Sequence, residues 1–141
     1  MIRKYNDNDL DSILEIWLTA SMKAHDFVSA EFWKSQVDNM RNIYLPASEI
    51  CVYEIDSKVV GFYALYESNL AAIFVEPDLQ GKGIGKQLLT HARSQRVMLT
   101  LSVYKENQAS YQFYLSQGFN VISEQVDEHT GHLEYTMSTG T

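Results

Sequence analysis

The stretch Leu70-Ala71-Ala72-Ile73-Phe74-Val75-Glu76-Pro77-Asp78-Leu79-Gln80-Gly81-Lys82-Gly83-Ile84-Gly85-Lys86 runs from a continuous apolar segment, through a proline, into three alternating glycines. A short unbroken apolar run predicts a strand buried on both faces. Pro77 ends it, and Ile84, Leu88, Leu89 and Ala92 then recur with the period of a helix. The segment therefore reads as strand, glycine loop, helix. Such a loop leaves backbone N–H groups unpaired at the helix N-terminus, with the positive end of the helix dipole behind them, and that combination binds anions. Glycine lets a phosphate approach the backbone closely, and Lys82 and Lys86 add positive charge. A diphosphate suits the loop, but two familiar fingerprints fail. The dinucleotide pattern G-x-G-x-x-G needs glycine where Lys86 stands, and the triphosphate pattern G-x-x-x-x-G-K-[ST] is absent.

Working outward, Ile2 to Tyr5 reads as a strand, Asn6 to Asp9 as a cap, and Leu10, Ile13, Leu14 and Trp17 as one face of a helix. Ser29 is placed to cap a second helix, with Trp33, Val37, Met40 and Tyr44 at helical spacing until Pro46. Ile50 to Ile55 and Val59 to Tyr66 flank Asp56-Ser57-Lys58 and predict a hairpin. Val97, Leu99, Leu101 and Val103 alternate with their neighbours as in a strand. Asn107 then caps a helix whose Ala109, Phe113 and Tyr114 face inward and which Gly118 ends. Phe119 to Gln125 and Leu133 to Met137 make a last strand pair. The expected order is βααβββαβαββ, a mixed α/β single domain spanning residues 1–141, without repeats or linkers.

The 141 residues, 45% hydrophobic and 21% charged with seven glycines and two prolines, fit one globular domain and exclude disordered and collagen-like classes. No apolar run reaches the roughly 18 residues of a membrane span, and the N-terminus leads into Asn6-Asp7-Asn8-Asp9 rather than an apolar signal core. A cytoplasmic protein is expected. A net charge of -7 argues against nucleic acid or an anionic membrane as partner. Yet Leu79 to Lys105 contains no acid and five bases, Lys82, Lys86, Arg93, Arg96 and Lys105. The lone Cys51 cannot form an internal disulfide, and no His, Cys and carboxylate spacing suggests a metal site.

Gln80 to Gly85 spells Q-x-x-G-x-G, and Asn107 to Phe119 follows N-x-x-A-x-x-F-Y-x-x-x-G-F with Ala109 displaced by one position. In these two blocks the chain resembles the GNAT superfamily of acyl-CoA-dependent N-acyltransferases. Within it the chain is similar to the small bacterial RimI-like and YiaC/YjaB-like peptide or lysine N-acetyltransferases, which the His25-Asp26-Phe27 link also resembles. The resemblance implies a central mixed sheet of about seven strands flanked by about four helices, with acetyl-CoA as co-substrate. It implies that Gln80, Gly81, Lys82, Gly83, Ile84 and Gly85 hold the pyrophosphate, and that backbone N–H groups of Phe74 and Val75 meet the acetyl carbonyl and pantetheine. Asn107 would touch the cofactor through its amide, and Tyr114 would be the acid that protonates the departing sulfur.

Where related enzymes carry a glutamate before the fourth helix, this chain has Ser102, which cannot act as a base unaided. Glu67 and Glu76 flank the cofactor strand and are the candidate bases, directly or through water, while His25 lies toward the acceptor side. Cys51 sits in the hairpin, away from both blocks, so direct transfer without an acyl-enzyme is expected. The acceptor expected first is a protein lysine or N-terminal amine, and second a small amine such as a polyamine or aminoglycoside. The rival from another class is a non-catalytic acyl-CoA-binding module. Monomer and homodimer both remain open.

Overall fold

Asp56 and Ser57 both take left-handed backbone angles, φ 50° and 66°, and make the two-residue turn whose twist matches a hairpin. They join β2 (Glu49–Ile55) to β3 (Lys58–Tyr66). The computed structural model describes residues 1–140. Around this hairpin lie β1 (Ile2–Lys4), β4 (Asn69–Val75), β5 (Thr100–Tyr104), β6 (Asn120–Val126) and β7 (Leu133–Ser138), in the sheet order β1-β2-β3-β4-β5-β7-β6. All neighbours are antiparallel except β4 and β5.

The helices are α1 (Leu10–Ala24), α2 (Ala30–Ser35), the single turn α3 (Val37–Asn39), α4 (Ile84–Ser94) and α5 (Gln108–Ser116). A capping box between Asn6 and Asp9 starts the first of them, and Arg3 reaches from β1 to Asp9 at 2.8 Å. Two cores lie on opposite faces of the sheet. Ile84, Leu88, Leu89 and Ala92 of α4 pack with Val60, Tyr63 and Leu65 on one face, and Ile13, Leu14 and Trp17 of α1 pack with Val59, Phe62 and Ala64 on the other. Alternate residues of β3 feed both cores, so β3 is the strand buried on both sides. Gly61 suits the close packing there, because a Cβ would come within 3.1 Å of the Phe74 carbonyl and 3.2 Å of Leu88, tighter than most side chains pack.

Several expectations need correction. The continuous apolar run at 70–75 is not doubly buried: Ala71 is exposed and Ile73 and Phe74 are half-buried, because β4 borders a cleft rather than a second packed strand. The helix expected from Ser29 to Pro46 does start at Ser29, whose hydroxyl accepts from Phe32 N–H. It breaks at Gln36, however, and ends in a wide π turn at Met40–Tyr44. Of its four spaced apolar residues only Trp33 is buried, so periodicity without burial did not hold one helix together. Val97 stands fully exposed outside β5, and Ala109 of α5 is exposed. No helix among the described residues is long and apolar enough to cross a membrane.

Leu88 is fully buried under β3, so Leu88→Ala should cost about 2–5 kcal/mol in chemical denaturation, whereas Val97→Ala should change stability by less than about 0.5 kcal/mol.

Candidate active site

β4 and β5 share one ladder position, Asn69 opposite Thr100, and then part. The gap becomes a cleft of about 1050 Å³ floored by β4 and β5 and walled by α1, the glycine loop and α5. Its backbone chemistry follows from sheet parity. Glu76 donates its N–H to the Val60 carbonyl at 2.8 Å, and an antiparallel ladder alternates, so Phe74 N–H also points toward β3. The N–H groups of Val75 and Ile73 consequently open toward the cleft. Of the two donors expected on this strand, Val75 is directed to the cleft and Phe74 is not; Ile73 was missed because the sequence does not reveal ladder phase.

Gln80 does not point outward as a ligand-binding side chain. Its amide donates to the Val75 carbonyl at 3.1 Å and straps the glycine loop to the end of β4. Gly81 and Gly83 have φ of +80° and +86°, which only glycine adopts without strain, and a Cβ at either would meet nothing within 4 Å. The space over the loop is therefore open. The first helical bond of α4 runs from Gln87 N–H to the Gly83 carbonyl, and no side chain caps the helix. The N–H groups of Ile84, Gly85 and Lys86 are thus left for an anion. Ile84 is buried and anchors the loop from below; Lys86 lines the cleft, and Lys82 lies on the loop outside the lining.

Tyr114 lines the opposite wall, its ring held between Phe113 and Phe119 with centroids 5.5 and 5.7 Å away. No protein partner takes its hydroxyl among the described residues. Burial pushes the phenol's pKa up, so the group keeps its proton at neutral pH. Asn107, two turns earlier, caps α5 by accepting from Ser110 N–H at 3.3 Å. That fixes its amide nitrogen toward His25 Nε2, 3.1 Å away, so both ends of the side chain are engaged within the protein, while Asn107 also lines the cleft with its second amide hydrogen uncommitted to His25. His25 then carries its proton on Nδ1, which is buried without a partner. The ring sits among Phe27, Trp33 and Tyr104 at 5.0–5.8 Å, and burial lowers its pKa to about 4.

The two candidate bases do not reach the cleft. Glu67 lies in the turn after β3, where its carbonyl accepts from Arg96, and Glu76 pairs with Lys58 at 3.5 Å. Both neighbour β4 in sequence, but at its ends. Ser102 does line the cleft, and the carboxylates that line it are Glu106 and Glu134, neither singled out by the sequence. Cys51 pairs across to Tyr63 and lies outside it.

A splayed β4/β5 pair, a strapped glycine loop on a bare helix N-terminus and an unpartnered phenol coincide with a match of residues 46–121 to the acetyltransferase (GNAT) domain. The chain belongs to the GNAT family. It is 37% identical to the peptidyl-lysine N-acetyltransferase YiaC of Escherichia coli over 123 residues, covering 86% of this chain and 84% of that protein. Its fold matches the solution structure of apo-form YjaB from Escherichia coli with a TM-score of 0.86 at 29% identity, covering 99% and 97% of the two chains. It also matches PaiA N-acetyltransferase from Thermoplasma acidophilum, solved in complex with coenzyme A, with a TM-score of 0.82 at 22% identity and 98% and 96% coverage. As a member of this family the chain is an N-acetyltransferase that uses acetyl-CoA.

The aromatic seat of His25 has a measurable consequence. The unfolded chain holds this histidine at its ordinary value near 6.5 and the fold holds it near 4, so between those values only the unfolded chain binds the extra proton. The contribution is complete above pH 6.5 and is lost as pH falls toward 4. Wild type should therefore lose more stability than His25→Gln when denaturation is compared at neutral pH and midway through that interval.

Proposed function

We propose that residues 1–141 form one N-acetyltransferase domain that moves the acetyl group of acetyl-CoA directly to the ε-amine of a lysine in a peptide or protein, both substrates being bound at once. The observation that carries this reading is the cleft between the parted strands, with anion-binding N–H groups at one end and a proton-bearing phenol on the wall. The residues fit acetyl-CoA. The N–H groups of Ile84, Gly85 and Lys86 and the open space over Gly81 and Gly83 would take its diphosphate, and Val75 and Ile73 N–H would take its amides and acetyl carbonyl.

The bound thioester supplies an activated acetyl group. Tyr114 gives its proton to the sulfur as the carbon–sulfur bond breaks, a role open to a phenol that is neutral and unpartnered. The cleft also carries Glu106 and Glu134 on its acceptor side, which suits a cationic amine, and the relatives named peptidyl-lysine N-acetyltransferases support lysine ahead of an N-terminal amine. The reading carries with it a cytoplasmic setting, where acetyl-CoA is at hand.

The test is release of CoA thiol from acetyl-CoA with a lysine peptide, a peptide whose lysines are blocked but whose N-terminus is free, and a polyamine. Lysine peptide should be the best acceptor. Tyr114→Phe should still be stabilised by CoA but lose on the order of 10²- to 10⁴-fold in kcat. Binding of CoA with no turnover of any amine would make the chain an acyl-CoA-binding module instead.

A further inference from the structure

The strand pairing supplies a carboxylate where the chain's own β5 lacks one. Ser102 of β5 lies directly opposite Thr136 of β7, and Tyr104 lies directly opposite Glu134. Residues opposite one another share a face of the sheet, so Ser102, Tyr104, Thr136 and Glu134 all project to the same side. Leu101, Val103 and Met137 project to the other, into the α4 core. The shared side is that of His25 and Trp33, the acceptor wall. Ser102 and Glu134 are diagonal neighbours, about 7–8 Å apart at the backbone, a gap a glutamate side chain spans.

Two carboxylates line the cleft, and they differ in what already holds them. Glu106 is held by a hydrogen bond with His132 Nδ1 at 2.9 Å. Glu134 is half-buried and, among the described residues, its carboxylate accepts only from the neutral amide of Gln125, at 3.2 Å, leaving the rest of it for a ligand. We propose that Glu134 on β7 is the general base for the acceptor amine, standing in for the carboxylate that Ser102 does not provide. This rests on the reading of the chain as an amine acetyltransferase.

The need for such a group is large. A lysine with its ordinary pKa of about 10.4 is neutral in only about one part in 2,500 at pH 7. Glu134 takes one proton from the ammonium and passes it to solvent. The neutral nitrogen then attacks the thioester carbonyl, and the carbon–nitrogen bond forms. The second nitrogen proton goes to Glu134 as the carbon–sulfur bond breaks and the sulfur takes the Tyr114 proton, which Glu134 restores through water. The products are the amide, the CoA thiol and one proton released.

Among the described residues, the charged and titratable groups facing Glu134 are Tyr104, which donates to Asp127, the hydrogen-bonded Glu106 and His132, and Lys23 and His25 across the cleft. Lys105 and Glu124 pair on the opposite face of the sheet.

The experiment compares wild type, Glu134→Gln, Glu106→Gln and the double variant Ser102→Glu/Glu134→Gln, measuring kcat and KM for a lysine peptide from neutral to alkaline pH. CoA-induced thermal stabilisation of each variant checks that it is folded. Glu134→Gln should lower kcat on the order of 10²-fold at neutral pH with little change in KM, and the deficit should shrink as pH rises. Glu106→Gln, whose carboxylate lies on the acceptor side, should act on KM for the lysine peptide rather than on the pH dependence of kcat, and Ser102→Glu should restore turnover to the double variant. An unchanged kcat in folded Glu134→Gln overturns the proposal, as does a loss confined to KM, which would make Glu134 a binding residue. Failure of rescue also overturns it. Absence of turnover in wild type overturns the functional reading, and this inference with it.

Discussion

The parting of β4 from β5 after one shared ladder position is the constraint on which the rest of the molecule depends. Everywhere else the sheet is closed by antiparallel ladders, and β3 is buried on both faces, with α4 packed closely over Gly61. At the split, strand N–H and C=O groups are left without strand partners, which a fold tolerates only where water or a ligand satisfies them. The protein answers one of these groups itself, through Gln80 on the Val75 carbonyl. That bond fixes the glycine loop against the strand end, so the free N–H groups that start α4 and the open N–H groups of the strand are held as one surface.

Charge played a smaller part in building this surface than its distribution along the chain implies. Of the five bases between Leu79 and Lys105, Lys86 alone lines the cleft. Arg93 donates to the Gln117 carbonyl at the end of α5, Arg96 donates to the Glu67 carbonyl and pairs with Glu49, and Lys105 pairs with Glu124. These are ties between distant segments. What suits the loop to an anion is instead its backbone donors and the α4 dipole, which sequence charge does not count.

What was legible in the sequence is what local rules decide. The α4 stripe, the caps at Asn6, Ser29 and Asn107, and the glycine loop each depend on a few adjacent residues, and each is found in place. What was not legible depends on pairing between distant segments. Glu67 and Glu76 looked close to the chemistry because they adjoin β4 in the chain, yet the site lies along the strand's open edge rather than at its ends. Ile73 escaped because ladder phase decides which N–H groups face outward. Glu134 escaped because its place beside Ser102 exists only through the β5–β7 register, with more than thirty residues between them.

The same non-local logic joins two walls of the cleft. His25 ends α1 on one wall of the cleft, while Asn107 begins the helix that carries Tyr114, and the hydrogen bond between them spans 82 residues of chain. Because the other end of the Asn107 amide caps α5, a shift of the His25 ring would disturb the cap and, through it, the first turns of the helix behind Tyr114. The aromatic packing of Phe27, Trp33 and Tyr104 holds that ring in place, and burial keeps it neutral so that Nε2 remains an acceptor. A histidine of ordinary basicity there would gain a proton in mild acid and face the Asn107 amide with a second donor. The hydrophobic wall around His25 therefore also maintains the hydrogen bond that holds the start of the helix carrying Tyr114.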